Sequence, residues 1–117
     1  MILSINTTNN SFIEISLKKA GEVLVVEKIA VDRTQAEKLL PAIEKILKKQ
    51  KIKLKDLEKI EVENRGGSFT SLRIGVATAN ALGFSLGIPV VGADGESKEI
   101  DGISIVEPEY SGEPDIK

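Results

Sequence analysis

The run Arg65-Gly66-Gly67-Ser68-Phe69-Thr70-Ser71-Leu72-Arg73-Ile74-Gly75 is the stretch whose residue types and spacing could do chemistry. It follows a strand-like segment, Lys59 to Glu63, and opens a helical run from Leu72 to Leu86. A glycine-rich turn between a strand and a helix presents backbone N–H groups at the positive end of the helix, which suits an anion. Gly66, Gly67, Ser68, Thr70 and Ser71 are therefore the candidate anion-binding residues. The same residues also make a tight turn with no ligand, because glycine tolerates positive φ. Other chemistry is scarce. The absence of Cys excludes disulfides, thiol catalysis and thiolate metal sites. The absence of His removes the commonest general base and the commonest metal ligand. Ser68 and Thr70 have no base beside them that the sequence identifies. No catalytic residue, metal ligand or cofactor is assigned.

The helix behind the turn is apolar on several sides. Its polar residues are only Arg73, Thr78, Asn80 and Ser85. Such a helix needs cover on more than one side. Gly75, Ala79 and Gly83 recur every four residues and make one small ridge, which lets a second backbone approach closely. One side would pack on the chain's own sheet. The other calls for a partner helix, from this chain or another.

The elements around these residues are legible. Ile2-Leu3-Ser4-Ile5 reads as a short strand and Asn6 to Asn10 as a polar turn. Ser11 to Lys18 and Glu22 to Val31 alternate around an Ala20-Gly21 turn, giving a hairpin. Asp32-Arg33-Thr34 starts a helix, with Thr34 or Asp32 as cap and Glu37 three residues after Thr34. Ala36, Leu39, Leu40, Ile43, Ile46 and Leu47 form its apolar stripe to about Gln50, and Pro41 is expected to bend it. Gly87-Ile88-Pro89 ends the second helix, and Val90-Val91 begins a fifth strand. The order β-β-β-α-β-α-β makes an α/β domain with a mixed five-stranded sheet and two main helices.

Charge divides the 117-residue chain. Residues 1–93 hold 14 basic and 10 acidic residues, whereas residues 94–117 hold 2 and 8. The first segment is read as the globular lobe. The second is read as an acidic tail with a candidate edge strand at residues 103–106. Seven lysines between Lys45 and Lys59, with no aromatic among them, are read as a solvated face, with RNA-backbone contact as the alternative. Neither a secretory signal nor a membrane span is expected, and the cytoplasm is the default location.

Residues 1–93 resemble the N-terminal lobe of the TsaB (YeaZ) family. The resemblance rests on Ile2 to Thr8, on Leu39-Leu40-Pro41-Ala42-Ile43, on Gly67 to Gly75, and on the continuation through Leu86-Gly87-Ile88-Pro89-Val90-Val91-Gly92. Four positions depart from the usual pattern. Asn6 stands where an aspartate is usual, Arg65-Gly66-Gly67 replaces glycine-proline-glycine, Gln35-Ala36 replaces a His-Ser pair, and Ser71 replaces a glycine. Length departs as well. Gly92 runs almost directly into Pro108 to Asp115, which resembles the family's C-terminal tail, so the second lobe is expected to be missing, as in a truncated paralogue.

The resemblance implies a single lobe of the actin/Hsp70-like (ASKHA, RNase H-like) fold. It implies an accessory role in making N6-threonylcarbamoyladenosine (t6A) on tRNA. The chain would be a non-catalytic scaffold and activator of a TsaD-type enzyme, paired with it through a helical bundle and joined by a TsaE-type ATPase. It would form a homodimer when alone and contact tRNA only indirectly. The expected partner interface is Leu39, Ile43 and Leu47 of the first helix with Leu72, Gly75, Val76, Ala79 and Gly83 of the second. Neutral Asn6 would hold Mg²⁺ poorly and one lobe lacks half of a nucleotide cleft, which argues against catalysis. The rivals are a minimal nucleotide-binding, ATPase-like lobe acting as a homodimer, an RNA-binding adaptor using the lysines, and a homodimeric remnant with no part in tRNA modification.

Overall fold

The computed structural model describes residues 1–109 except 33, 93 and 101. The main elements are β1 (Ile2–Asn6), β2 (Phe12–Lys19), β3 (Glu22–Ala30), α1 (Gln35–Lys49), β4 (Lys59–Val62), α2 (Phe69–Leu86) and β5 (Val90–Gly92). A single 3₁₀ turn, Leu54–Asp56, leads into β4. The five strands form one sheet in the order β3-β2-β1-β4-β5. β1, β2 and β3 pair antiparallel, and β4 joins β1 and β5 in parallel. Each parallel step is bridged by a helix, as a parallel connection requires. The expected α/β architecture is the one observed.

Alternation decides which face of the sheet is covered. Leu3 pairs with Leu17 and Ile60, and Ile5 with Ile15 and Val62, so these residues share one face, and all are buried. α1 and α2 lie on that face. α1 inserts Leu39, Ile43, Ile46 and Leu47, while α2 inserts Val76 and Ala79. The opposite face carries Ser4, Glu14, Ser16, Lys18 and Glu61, with Lys18 paired to Glu61 at 2.9 Å. Those polar residues let that face meet water, as a sheet with antiparallel strands commonly allows. No helix among the described residues is long and apolar enough to cross a membrane.

The local stops follow from chemistry. Ala20 and Gly21 both take positive φ, 53° and 81°, the signature of a two-residue hairpin turn matched to strand twist. Gly87 at φ 69° closes α2, and the Ile88 N–H returns to the Gly83 carbonyl at 3.0 Å. Thr34 caps α1 by position, with its carbonyl accepting from the Glu37 and Lys38 N–H groups. The reciprocal side-chain box suggested by Thr34 and Glu37 does not form. The Thr34 hydroxyl is turned inward and, among the described residues, has no partner.

Residues beyond β5 depart from the acidic-tail expectation. β6 (Lys98–Ile100) and β7 (Ile103–Ile105) pair antiparallel as a separate two-stranded sheet, so residues 103–106 are not an edge strand of the main sheet. A side chain occupies the edge where such a strand would have joined. The Ser104 hydroxyl accepts from the Val90 N–H at 3.1 Å and donates to the Val90 carbonyl at 3.0 Å. The following segment is fastened to the lobe. The Asn80 amide makes two bonds to the Val106 backbone, at 2.7 and 2.8 Å, and the Asn64 side chain donates to the Glu107 carbonyl at 3.0 Å. The tail-like stretch from Tyr110 onward lies outside the described residues.

Candidate functional site: the glycine turn and the outer face of the second helix

The turn is built by close approach. Gly66 and Gly67 have φ of 80° and 73°. A Cβ at Gly67 would collide with the backbone of Thr8, in the turn after β1. Glycine is needed there because two turns touch, whatever else the site binds. The Thr7 hydroxyl donates to the Ser71 carbonyl at 2.5 Å, which ties the same two turns together.

Ser68 and Ser71 are committed to the helix start. Ser68 is the N-cap of α2, its hydroxyl accepting from the Ser71 N–H at 3.2 Å and lying 2.6 Å from the Ser71 hydroxyl. Ser71 is buried, and Thr70 is exposed. Asn6 is committed too. Its side-chain oxygen accepts from the Thr8 N–H at 2.9 Å and the Thr8 hydroxyl at 2.7 Å, an Asx turn that shapes the loop.

Arg65 faces away from this turn. Its guanidinium donates to Glu109 and to Asp94, both at 2.5 Å. The hydrogen bond and charge of Glu109, with Asp94 beside it, hold its pKa above the ordinary arginine value. Arg65 therefore serves the C-terminal segment and offers no free cation to an anion at the turn.

The residues expected to face a partner lie inside the chain. Leu39, Ile43, Leu47, Leu72, Val76 and Ala79 are all buried, with Leu39, Leu72 and Ala79 at 0% exposure. Gly75 and Gly83 are buried as well. The physical reason for the small ridge is the chain's own sheet. A Cβ at Gly75 would strike the Thr7 hydroxyl, and one at Gly83 would strike a methyl of Val90. The ridge lets α2 lie close over β1 and β5.

The outer side of α2 has a different row, which the sequence reading passed over. Phe69, Arg73, Ala77, Ala81 and Phe84 are exposed. At about 100° per residue they fall within one stripe, small in the middle and aromatic at both ends. Phe84 is 65% exposed and Phe69 43%. Leu40, on neighbouring α1, is 49% exposed. The signal available in the sequence was the Ala77/Ala81 pair, offset from the glycine ridge by about half a turn.

The comparisons with known proteins bear on the whole lobe. The family model for TsaD, tRNA N6-adenosine threonylcarbamoyltransferase, matches residues 25–94. An uncharacterised protein of Mycobacterium tuberculosis is 35% identical over 92 residues, 78% of this chain and 44% of that protein. The tRNA threonylcarbamoyladenosine biosynthesis protein TsaB of Bacillus subtilis is 33% identical over 89 residues, 76% of this chain and 38% of that protein. The solved structure of YeaZ from Pseudomonas aeruginosa superposes with a TM-score of 0.72 at 24% identity, covering 79% of this chain and 42% of that one. The chain spans less than half the length of these relatives. With a matching family model, TsaB-named relatives and a shared fold, the chain belongs to the TsaD family as a TsaB/YeaZ-type member.

Proposed function

We propose that this chain is an accessory, non-catalytic subunit in the formation of t6A on tRNA, docking onto a TsaD-type protein by its two helices. The observation that carries the reading is the outer stripe of α2, Phe69 to Phe84, with Leu40 of α1 beside it. Exposed aromatic residues flanking small ones suit a second helix packed across them. The contact surface is therefore this stripe, and the buried residues first expected there act by holding α2 flat on the sheet. A TsaE-type ATPase would join the resulting pair, and tRNA would be reached through the partner. The commitments of Asn6, Ser68 and Ser71 to turn and cap support a non-catalytic role. Each is already hydrogen-bonded within the chain.

A homodimer through the same stripe is the second reading, since a self-complementary helix face can pair with its own copy. Reconstitution tests the first. Threonylcarbamoyl transfer to tRNA by the TsaD-type protein of the same source is measured with and without this chain. Stimulation by the chain is expected. Equal rates with and without it would remove the accessory role.

A further inference from the structure

The fold gathers lysines at one end of the sheet, the end remote from the glycine turn. Ile2 pairs with Lys18 on one side and with Lys59 on the other, which brings Lys59 and Lys19, the last residue of β2, to that end. α1 runs back to the same end. Lys48 lies in its last turn, and Lys51, Lys53 and Lys55 lie between it and β4. Five of these six lysines are exposed and Lys59 is half-buried. Among the described residues none of the six forms an ion pair, whereas Lys18, Lys49, Arg65 and Lys98 each do. The two carboxylates of this stretch are engaged elsewhere. Asp56 accepts from the Lys53 N–H at 3.0 Å, and Glu58 lies 3.6 Å from the Met1 amino group.

One of these lysines stands where stereochemistry favours glycine. Lys51 has φ 58°. Its N–H returns to the Lys48 carbonyl at 3.1 Å and the Ile52 N–H to the Leu47 carbonyl at 2.9 Å, the same closure that Gly87 makes at the end of α2. A residue with a Cβ is disfavoured in that conformation, so here the fold carries a cation at a position glycine would fill more easily. The other end of the sheet has the opposite sign. Asp94, Glu96, Glu107 and Glu109 line its cleft, partly offset by Arg65 and Lys98. A polyanion is thus drawn to one end and turned away from the other. No Arg and no aromatic residue lies between Lys45 and Lys59. The patch offers point charges suited to phosphates, with neither a bidentate fork for carboxylates nor a platform for bases. We propose that this end of the lobe binds the phosphate backbone of RNA without reading its sequence. The choice of RNA rests on the tRNA-modification reading above. The partner presents the tRNA for reaction, and this chain adds a hold on its backbone.

The test is fluorescence anisotropy of a labelled RNA stem-loop titrated with this chain at a series of salt concentrations. No TsaD-type protein is present, so failed docking and failed RNA binding are read separately. Affinity is expected to fall about a hundredfold or more between about 50 and 200 mM salt, a log–log slope of about −4 to −5 for the patch. Lys51→Gly should make that slope shallower by about one without lowering the urea midpoint, which separates lost charge from lost fold. Lys53→Glu combined with Lys55→Glu should weaken binding about tenfold or more, and Lys98→Gln, at the opposite end, should leave the slope unchanged. A flat salt dependence would overturn the proposal, as would a slope unchanged in the Lys51 and Lys53/Lys55 variants or one that falls equally with Lys98→Gln. Poly-glutamate binding as tightly as the RNA would assign this end to an acidic protein and overturn it too.

Discussion

α2 carries two rows of small residues whose roles differ. Gly75, Ala79 and Gly83 face inward, where added atoms at either glycine would run into Thr7 or Val90. Ala77 and Ala81 face outward between Phe69 and Phe84 and are exposed. The inner row sets how closely the helix meets the sheet, and so belongs to stability. The outer row leaves room for a second helix, and so belongs to recognition. Small side chains at helical spacing thus mark close approach without saying to what. The depth of each row in the fold decides that.

The largest effect should come from charging the inner row. Gly83→Glu places a carboxylate against Val90 with no partner, a loss of ~3–5 kcal/mol from the ~5–15 kcal/mol that holds a domain. Chemical denaturation should find the midpoint far below that of the unaltered chain. A folded, merely dimer-deficient Gly83→Glu protein would erase the distinction between the rows.

Charging the outer row should leave folding alone. Ala81→Glu is expected to change stability by no more than ~0.5 kcal/mol. It should weaken docking to the TsaD-type protein by ~2 kcal/mol or more, because a charge at the centre of a helix contact is left unpaired. Titration calorimetry beside a urea melt separates the two effects.

A third prediction sharpens the inner side. Asn80→Ala removes both bonds to the Val106 backbone and should cost ~2 kcal/mol. Limited proteolysis should then cut residues 98–109 sooner than in the unaltered chain. Equal cutting rates would mean that the amide clasp does not hold the segment. The smallest effect is Ser68→Ala, about 1 kcal/mol from loss of the α2 cap, measured by the shift of the denaturation midpoint.

Sequence periodicity revealed the lobe because its signals are local. Alternation in β1, β2 and β4 and the stripe of α1 each specify one buried face, and Gly87 marks the end of α2. The C-terminal segment was read less well because its fastening is long-range. Asn64 and Asn80 find their backbone partners 43 and 26 residues away, and nothing at either asparagine announces the distance. The β6–β7 hairpin did leave a trace, an Asp101-Gly102 pair between two short runs, a strong hairpin signal passed over because the region is so acidic. At the glycine turn the residue types were right and their work was different. Gly67 makes room for Thr8, and Ser68 caps a helix.

The central claim is that the outer stripe of α2 is the docking surface. Light scattering on the TsaD-type protein mixed with the unaltered chain, and then with the Ala81→Glu variant, tests it most directly. The account predicts a one-to-one complex with the first and two separate species with the second, the variant itself remaining folded. A complex of equal mass with both proteins would contradict it, as would no complex with either.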